Sequence, residues 1–193
     1  MTDVVLIHHV LGVTPGVKDF AERLRRAGHT VTVPDLYDGA TFTNLDEGMA
    51  HADSIGMENL MSKAGAAVSG GAPVVFAGFS LGAMAAHQLA QTRPDARGAL
   101  LYHHGDVPLG VFDLPWPIGV DLQIHVSEGD EFREAGVPEE FVAEAGKVAR
   151  AELFVYPGGE HLFADSSLPG YSAESTATML KRSLEFLKRV GHH

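Results

Sequence analysis

The chain has 193 residues, of which 45% are hydrophobic and 20% are charged, which is enough for one globular domain with a sizeable core. Its formal net charge of -11 argues against nucleic acid and anionic membranes as partners, because phosphate contacts need clustered lysine and arginine. The absence of cysteine excludes disulfides, thiolate metal sites and a cysteine nucleophile, and it fits a cytoplasmic location.

Strand and helix patterns alternate along the chain, and glycine, proline or polar residues separate them. Asn44–Ser69 is weakly helical and interrupted by glycine, whereas Gly105–Gly119 is a proline-rich loop expected to form part of a pocket wall. In chain order, the other predicted elements are strand Asp3–His9, helix Gly16–Gly28, strand His29–Leu36, strand Ala72–Phe79, helix Leu81–Gln91, strand Arg97–His104, strand Val120–Ser127, helix Pro138–Ala149, strand Ala151–Gly158 and helix Ser172–Val190.

Six strands separated by helices predict an α/β fold with a mostly parallel six-stranded sheet and helices on both faces. No repeat or linker interrupts the pattern, so residues 1–193 are expected to form a single domain, with residues 191–193 as a short tail. We expect neither a signal peptide nor a membrane span, because the first residues lack a basic region and no apolar run is long enough. Functional residues are expected at the carboxyl ends of the strands.

The segment Gly78-Phe79-Ser80-Leu81-Gly82 follows a predicted strand and precedes a predicted helix. It fits G-x-S-x-G, the nucleophile elbow, in which a sharp turn projects the serine hydroxyl from the top of a sheet. The alternative is a turn that serves packing only, with Ser80 as a helix cap. The pattern therefore makes Ser80 a candidate nucleophile that needs partners elsewhere in the chain.

A serine hydroxyl needs a general base, and the chain order expected for this elbow is serine, acid, histidine. Asp130 and His161 each follow a predicted strand in that order, so Asp130 is the candidate for orienting the imidazole of His161. The alternatives are a turn role for Asp130, the neighbouring acids Glu128 and Glu131 in its place, and an exposed loop position for His161.

An oxyanion hole needs two N–H donors. One is expected from Leu81, the residue after the nucleophile, and the other from the loop after the first strand, at Val10. These are backbone groups, so the side chains present at the two positions test the expectation only weakly.

These residues carry a resemblance to the dienelactone hydrolase family of α/β-hydrolases. The matching stretches are "VVLIHHVLGVTPGVKDFAERLRRAGHTVTVPDLYDG", "GFSLGA", "GDEF" and "YPGGEHLFAD", which span nearly the whole chain. The resemblance implies a single-domain α/β-hydrolase fold without the two antiparallel N-terminal strands of larger relatives. It also implies hydrolysis of a small ester or lactone through an acyl-enzyme, with the triad at Ser80, Asp130 and His161.

The chain departs from the typical family pattern at three positions. Ser80 stands where the family typically has cysteine, His9 where it has a glutamate, and Asp165 where an arginine that binds a substrate carboxylate is expected. His9 is expected to line the substrate pocket or to hold the oxyanion loop. A carboxylate beside Asp165 would be repelled, so a neutral or less acidic ester is expected rather than dienelactone itself.

Four further side chains are candidates for the substrate pocket. Tyr102, His104, Trp116 and Leu162 lie near predicted strand ends or in the Pro-rich loop. Their alternatives are core filling for Tyr102, a hydrogen-bonded sheet end for His104 and loop anchoring for Trp116. No cofactor is expected, and no catalytic metal, because neighbouring histidines on a strand point to opposite faces and H-E-x-x-H is absent.

The sequence thus predicts a serine hydrolase whose partner is a small-molecule ester or lactone, acting as a monomer or a homodimer. Two other classes of function stay open. The chain could keep the fold as a non-hydrolytic ligand-binding or interaction protein, or it could catalyse acyl transfer or a lyase reaction in a biosynthetic pathway.

Overall fold

Six parallel strands form one sheet in the part of the chain that the computed structural model describes, residues 1–68 and 71–191. The elements in chain order are β1 (Asp3–Ile7), α1 (Pro15–Arg26), β2 (Thr30–Thr32), α2 (Leu45–Ile55), α3 (Met57–Ala66), β3 (Val74–Phe79), α4 (Leu81–Thr92), β4 (Ala96–Tyr102), β5 (Asp121–Ser127), α5 (Val137–Ala145), β6 (Ala151–Tyr156) and α6 (Ala173–Val190). The sheet order is β2-β1-β3-β4-β5-β6. The predicted six-stranded sheet is confirmed, and it is parallel throughout.

The strand residues alternate between two apolar layers, one on each face of the sheet. Val5 and Ile7 of β1 belong to the layer that α3, α4 and α5 cover, and Val4 and Leu6 to the layer that α1 and α6 cover. Because successive side chains of a strand point to opposite faces, a sheet covered on both faces needs nearly continuous apolar strands. All six residues of β3, at the centre of the sheet, are buried.

The first two strands are shorter than predicted. β1 ends at Ile7, so His8 and His9 lie in the following loop. β2 ends at Thr32, because it pairs with β1 only over three residues and Pro34 has no N–H to continue a ladder.

The weakly helical stretch that was predicted from Asn44 to Ser69 contains two helices, α2 and α3, and Ser69 itself lies outside the described residues. Asn44 caps α2 by accepting a hydrogen bond from Glu47 N–H (2.9 Å). The break between the helices is at Gly56, whose φ of 85° is strained for other residues. The predicted loop Gly105–Gly119 holds a short 3₁₀ turn, Leu109–Phe112.

The direction of strand succession reverses between β1 and β3. From β1 the chain crosses to β2 on one side, and then returns to β3 on the other side. A parallel sheet has a crevice at such a switch point, beyond the carboxyl ends of the strands. The loop after β1 and the turn after β3 therefore face each other across this crevice. No helix within the described ranges is long and apolar enough to cross a membrane.

Candidate active site

Ser80 forms the turn between β3 and α4, at the carboxyl edge of the sheet. Its φ of 53° and ψ of -113° lie in a region that non-glycine residues rarely adopt. The turn is held by the Ser80 N–H, which donates to the carbonyl of Tyr102 at the end of β4 (2.8 Å). A strained backbone that the surrounding structure holds in place is typical of a functional position.

The two glycines of the motif allow this turn to form. A Cβ atom on Gly78 would lie 2.1 Å from the carbonyl oxygen of Gly82, and a Cβ atom on Gly82 would lie 2.3 Å from the carbonyl oxygen of Ile7. Both contacts are with backbone, which cannot move aside cheaply. The glycines therefore let α4 start directly over the end of β1, which brings the first residues of α4 against the loop that follows β1.

Ser80, His161 and Asp130 form one hydrogen-bonded chain. The Ser80 hydroxyl lies 2.8 Å from His161 Nε2, and His161 Nδ1 lies 2.7 Å from Asp130 Oδ2. Because Asp130 is a carboxylate acceptor, the network assigns the imidazole proton to Nδ1 and leaves Nε2 to accept from the serine. The Asp130 side chain is almost fully buried, and its other oxygen accepts from Phe132 N–H (2.9 Å). Asp130, rather than Glu128 or Glu131, is the carboxylate bonded to the histidine.

The loops that carry Asp130 and His161 are fastened to each other beyond the ends of β5 and β6. The Ser127 hydroxyl donates to the carbonyl of Glu160 (2.9 Å), and Gly129 N–H donates to the carbonyl of Gly158 (2.9 Å). Gly129 and Gly159 pack closely enough that an added Cβ atom on either would be in tight contact with the other's backbone. These contacts fix the acid and the histidine relative to each other.

Leu81 and Val10 line the same cleft as Ser80 and His161. Leu81 is the first residue of α4, so its N–H is one of those that a helix leaves without an intrahelical acceptor. The positive end of the α4 dipole points to the same place. An oxyanion hole requires two backbone N–H donors, and Leu81 and Val10 stay the predicted ones because both residues line this cleft.

The loop that carries Val10 is held by the rings of His8 and His9. His8 Nδ1 donates to the His9 carbonyl (2.7 Å), and His8 Nε2 accepts from Leu36 N–H (3.0 Å). Burial lowers the pKa of His8 to about 4, so the ring is neutral and can make both bonds at once. His9 Nδ1 accepts from Leu11 N–H (3.2 Å), and the His9 carbonyl accepts from Gly12 N–H (3.1 Å).

His9 Nε2 donates to Asp165 Oδ2 across a distance of 2.8 Å, with both side chains buried. Asp165 also accepts from the hydroxyl groups of Thr14 and Ser167 and from Ser167 N–H (2.8 Å). Although burial alone would raise the pKa of Asp165, these hydrogen bonds lower it to about 2. Gly16 leaves room for the carboxylate, because a Cβ atom there would overlap it.

The structure places four of the five predicted pocket side chains away from the cleft that contains Ser80. Tyr102 is in the core and donates to the Ser183 hydroxyl (2.9 Å). Trp116 donates to the carbonyl of Val120 (2.7 Å), and its ring packs on Phe141, as does that of His104.

His9 is the fourth residue that lies behind the cleft, bonded to Asp165. These positions correct the expectation that His9, Tyr102, His104 and Trp116 contact substrate, since each side chain is turned into packing or into an internal hydrogen bond. Of the five candidates, Leu162 lines a groove beside His161. The repulsion expected from Asp165 is also corrected, because its carboxylate faces His9 and Thr14 and not the cleft.

Several side chains that line the cleft were not predicted. Phe132 stacks obliquely on His161, with ring centroids 4.5 Å apart, and lies two residues after Asp130. Met84 lies one helical turn after Ser80, a spacing that would have identified it as a neighbour. Leu45 and Met49 come from α2, and no pattern in the sequence relates them to Ser80. The cleft-lining residues missed are Leu45, Met49, Met84, Asp106, Val107 and Phe132.

Asp106 is the charged side chain nearest to the reacting groups in this set. It lines the cleft with Ser80 and His161, and burial raises its pKa above the ordinary range. No lysine or arginine lines the cleft or the groove beside it, as far as the chain is described. The site therefore offers no cation to bind a substrate carboxylate.

Comparisons with known proteins show the family of the chain. The profile of the dienelactone hydrolase family matches residues 1–191. A protein of Escherichia coli K12 with the provisional name carboxymethylenebutenolidase is 26% identical over 208 residues, covering 97% of this chain and 77% of that protein.

Solved structures resemble this fold closely at low sequence identity. A provisionally named dienelactone hydrolase from Klebsiella pneumoniae matches with a TM-score of 0.77 and 17% identity, covering 97% of this chain and 87% of that one. A hydrolase of the α/β superfamily from Xanthomonas campestris matches with a TM-score of 0.66 and 23% identity, covering 98% and 99%. The predicted α/β-hydrolase fold is thereby confirmed.

Proposed function

Because the chain belongs to the dienelactone hydrolase family, and is thus a hydrolase of esters or lactones, we propose that it uses Ser80 as nucleophile and passes through an acyl-enzyme. The observation that carries this proposal is the hydrogen-bonded chain from Ser80 through His161 to Asp130. His161 Nε2 lies 2.8 Å from the hydroxyl, within the distance at which a general base takes a proton, and this supports the proposal.

In the proposed reaction the Ser80 Oγ attacks the substrate carbonyl carbon while its proton moves to His161 Nε2. The carbonyl oxygen becomes an oxyanion, which the N–H groups of Leu81 and Val10 bind. Asp130 keeps the imidazole oriented and stabilises the imidazolium that forms.

His161 then gives its proton to the leaving oxygen, and the bond between carbonyl carbon and leaving oxygen breaks. Water attacks the remaining ester of Ser80 by the same steps in the second half of the cycle, giving the acid and the free serine. The chain's own residues suffice for this reaction. A lactone differs only in that its leaving oxygen stays attached to the acyl group, so the product is one hydroxy acid.

The substrate is proposed to be a small, neutral or less acidic ester or lactone. The described cleft and groove support this, because they hold carboxylates but no lysine or arginine to bind a substrate carboxylate. One domain over residues 1–193 and a cytoplasmic location stay predictions, and so does the choice between monomer and homodimer.

The first experiment is to treat the protein with a fluorophosphonate probe and measure its intact mass. An activated serine displaces fluoride from phosphorus, so one adduct is expected on the wild type and none on Ser80→Ala or His161→Ala. Ser80→Ala should also lower ester hydrolysis by about a thousandfold or more while the protein stays folded. A folded wild-type protein that forms no adduct would favour a binding protein. Product analysis with an added alcohol acceptor would separate acyl transfer from hydrolysis.

A further inference from the structure

The cleft at Ser80 is continuous in its lining with a second groove, and the two share Leu45 and His161. We name the first, of about 220 Å³, the acyl arm, and its lining residues are Val10, Leu45, Met49, Ser80, Leu81, Met84, Asp106, Val107, Phe132 and His161. We name the second, of about 300 Å³, the alcohol arm, and its lining residues are Leu11, Thr43, Asn44, Leu45, Glu131, Gly159, Glu160, His161, Leu162, Leu168, Pro169 and Gly170.

The order of the proposed steps decides which part of an ester occupies which arm, and the inference rests on the proposed function. The carbonyl carbon must lie at Ser80 Oγ and its oxygen at Leu81 and Val10, all of which belong to the acyl arm. The leaving oxygen must lie at His161 Nε2, which returns the proton to it. His161 is where the acyl arm meets the alcohol arm, so the leaving alcohol extends into the second groove.

The two arms differ in chemistry. Beyond the reacting groups, the acyl arm is lined mainly by apolar side chains, among them Met49, Met84 and Val107, which favour a hydrocarbon chain. Methionine side chains adapt their shape, so the arm is expected to accept acyl groups of several lengths.

The alcohol arm is more polar. The Thr43 hydroxyl, the amide of Asn44 and the carboxylates of Glu131 and Glu160 line it, and both glutamates are exposed. Polar groups at this position can hydrogen-bond an alcohol that carries further hydroxyl groups, and two carboxylates repel an alcohol that carries an acid.

We propose that the substrate is an ester of an apolar acyl group and a polar, non-anionic alcohol, with the acyl group beside Met84 and the alcohol beside Thr43. Because the two arms meet at His161, each arm determines the preference for one part of the ester, the acyl group or the alcohol, independently of the other.

The test uses two ester series and two variants. One series varies the acyl chain from acetyl to hexanoyl with nitrophenol as the common alcohol. The other keeps a butanoyl group and varies the alcohol among ethanol, glycerol and glycolic acid. Met84→Trp fills the acyl arm, and Thr43→Phe fills the alcohol arm from an exposed position.

Met84→Trp should lower kcat/KM for hexanoyl relative to acetyl by about tenfold or more, and leave the ranking of alcohols within about twofold. Thr43→Phe should change the ranking of alcohols and leave the ranking of acyl groups. The wild type should cleave the glyceryl ester fastest and the glycolate ester slowest. Glu131→Gln combined with Glu160→Gln should lessen the disadvantage of the glycolate ester by about threefold, and added salt should have the same direction of effect.

The assignment of the arms would be overturned if Met84→Trp changed the ranking of alcohols or Thr43→Phe changed the ranking of acyl groups. It would also be overturned if a variant changed both rankings alike or neither of them, or if the wild type preferred the glycolate ester. Fluorophosphonate labelling of each variant verifies that Ser80 is still activated. If the wild type is labelled at Ser80 and cleaves the esters without the expected selectivity, only the inference about the arms fails. If it neither reacts with the probe nor cleaves any ester, the proposed function itself fails.

Discussion

His9 Nε2 and Asp165 Oδ2 lie 2.8 Å apart inside the protein, and their hydrogen bond joins the loop of Val10 to the loop of His161. The dienelactone hydrolase family typically has a glutamate at the first of these positions and an arginine at the second. This chain instead carries a histidine and an aspartate at these two positions, and the two side chains are bonded to each other. Asp165 consequently serves the inside of the site and does not act on the substrate directly.

Asp165→Ala should lower the free energy of unfolding by about 3 kcal/mol, because it leaves His9 and Thr14 buried without their acceptor. It should also slow fluorophosphonate labelling of Ser80, since the loop that carries Val10 loses its anchor. Urea unfolding and timed mass spectrometry measure the two effects.

The matched control is Asp19→Ala, which breaks the partly exposed i,i+4 pair with Arg23 and a long hydrogen bond from the Ser166 hydroxyl (3.4 Å). A pair of that kind should cost less than about 1 kcal/mol and leave the labelling rate as it is. Equal losses of unfolding free energy in the two variants would show that the buried hydrogen bond contributes no more to stability than the pair of Asp19 and Arg23.

Asp130→Asn should reduce kcat for ester hydrolysis by about a thousandfold or more with little change in stability. An amide can donate to His161 Nδ1 as well as accept from it. When it donates, the imidazole proton is on Nε2, and the nitrogen that faces Ser80 can no longer take the serine proton. Steady-state hydrolysis of a nitrophenyl ester measures this. Glu128→Gln, two residues earlier and exposed, is the control and should stay near the wild-type rate. A similar fall in both variants would contradict the assignment of Asp130.

Gly82→Ala should prevent folding or cost well over about 3 kcal/mol, because its Cβ atom would overlap the backbone carbonyls of Ile7 and His8. The comparison is Gly110→Ala, where an added Cβ atom meets nothing within 4 Å. The free energy of unfolding of that variant, measured with urea, should lie within about 1 kcal/mol of the wild-type value. A tolerated Gly82→Ala would mean that α4 can move away from β1 without loss.

The free energy of unfolding should fall as the pH is lowered below about 6.5. Burial lowers the pKa of His87 to about 4 and that of His125 to about 3, and it also lowers the pKa values of His103 and His104 well below the ordinary value of 6.5. In the unfolded chain these rings titrate near 6.5, so below that pH the unfolded state binds more protons than the native state. Each ring then costs up to about 1.4 kcal/mol per pH unit until its own folded pKa is reached.

Urea unfolding between pH 8 and pH 5 measures this loss, and one variant isolates a single ring. His104 Nε2 is buried without a hydrogen-bond partner among the described residues, and the ring packs against His87 and Phe141. His104→Leu should therefore keep most of the stability at pH 8 and flatten the slope by up to about 1.4 kcal/mol per pH unit. An unchanged slope would mean that His104 titrates alike in the folded and unfolded states.

The sheet and the residues of the triad could be predicted from the sequence because both depend on local signals. The apolar run Val74–Phe79 and the two glycines around Ser80 determine a strand and a sharp turn by their own sterics. Asp130 and His161 followed from their places after strands, since parallel strands bring their carboxyl ends to one edge.

The lining of the cleft could not be predicted in the same way, because it depends on how separate elements pack. Leu45 and Met49 reach the cleft only because α2 packs against Val10 through Gly48. No sequence pattern links α2 to the loop that carries Val10. Tyr102 ends β4 near the site and His104 follows two residues later, but a side chain at or after a strand end can turn into the core as readily as into the cleft. The partners of Asp165 likewise come from two loops, His9 and Thr14 from the one after β1 and Ser167 from its own loop after β6.

The position of β1 inside the sheet, between β2 and β3, also governs how the protein must fold. Asp3 pairs with Thr30 on one side and with Val74 on the other, so the strand that is synthesised first gains its second neighbour only after β3 has been made. Closing such a long loop costs conformational entropy before any stabilising contact has formed. Proteins rich in pairs of strands that are distant in sequence therefore fold slowly. The same late event brings Val10 into the cleft of Ser80, so a chain that has not yet joined β1 to β3 lacks the proposed oxyanion hole and is expected to be inactive until the central sheet is complete.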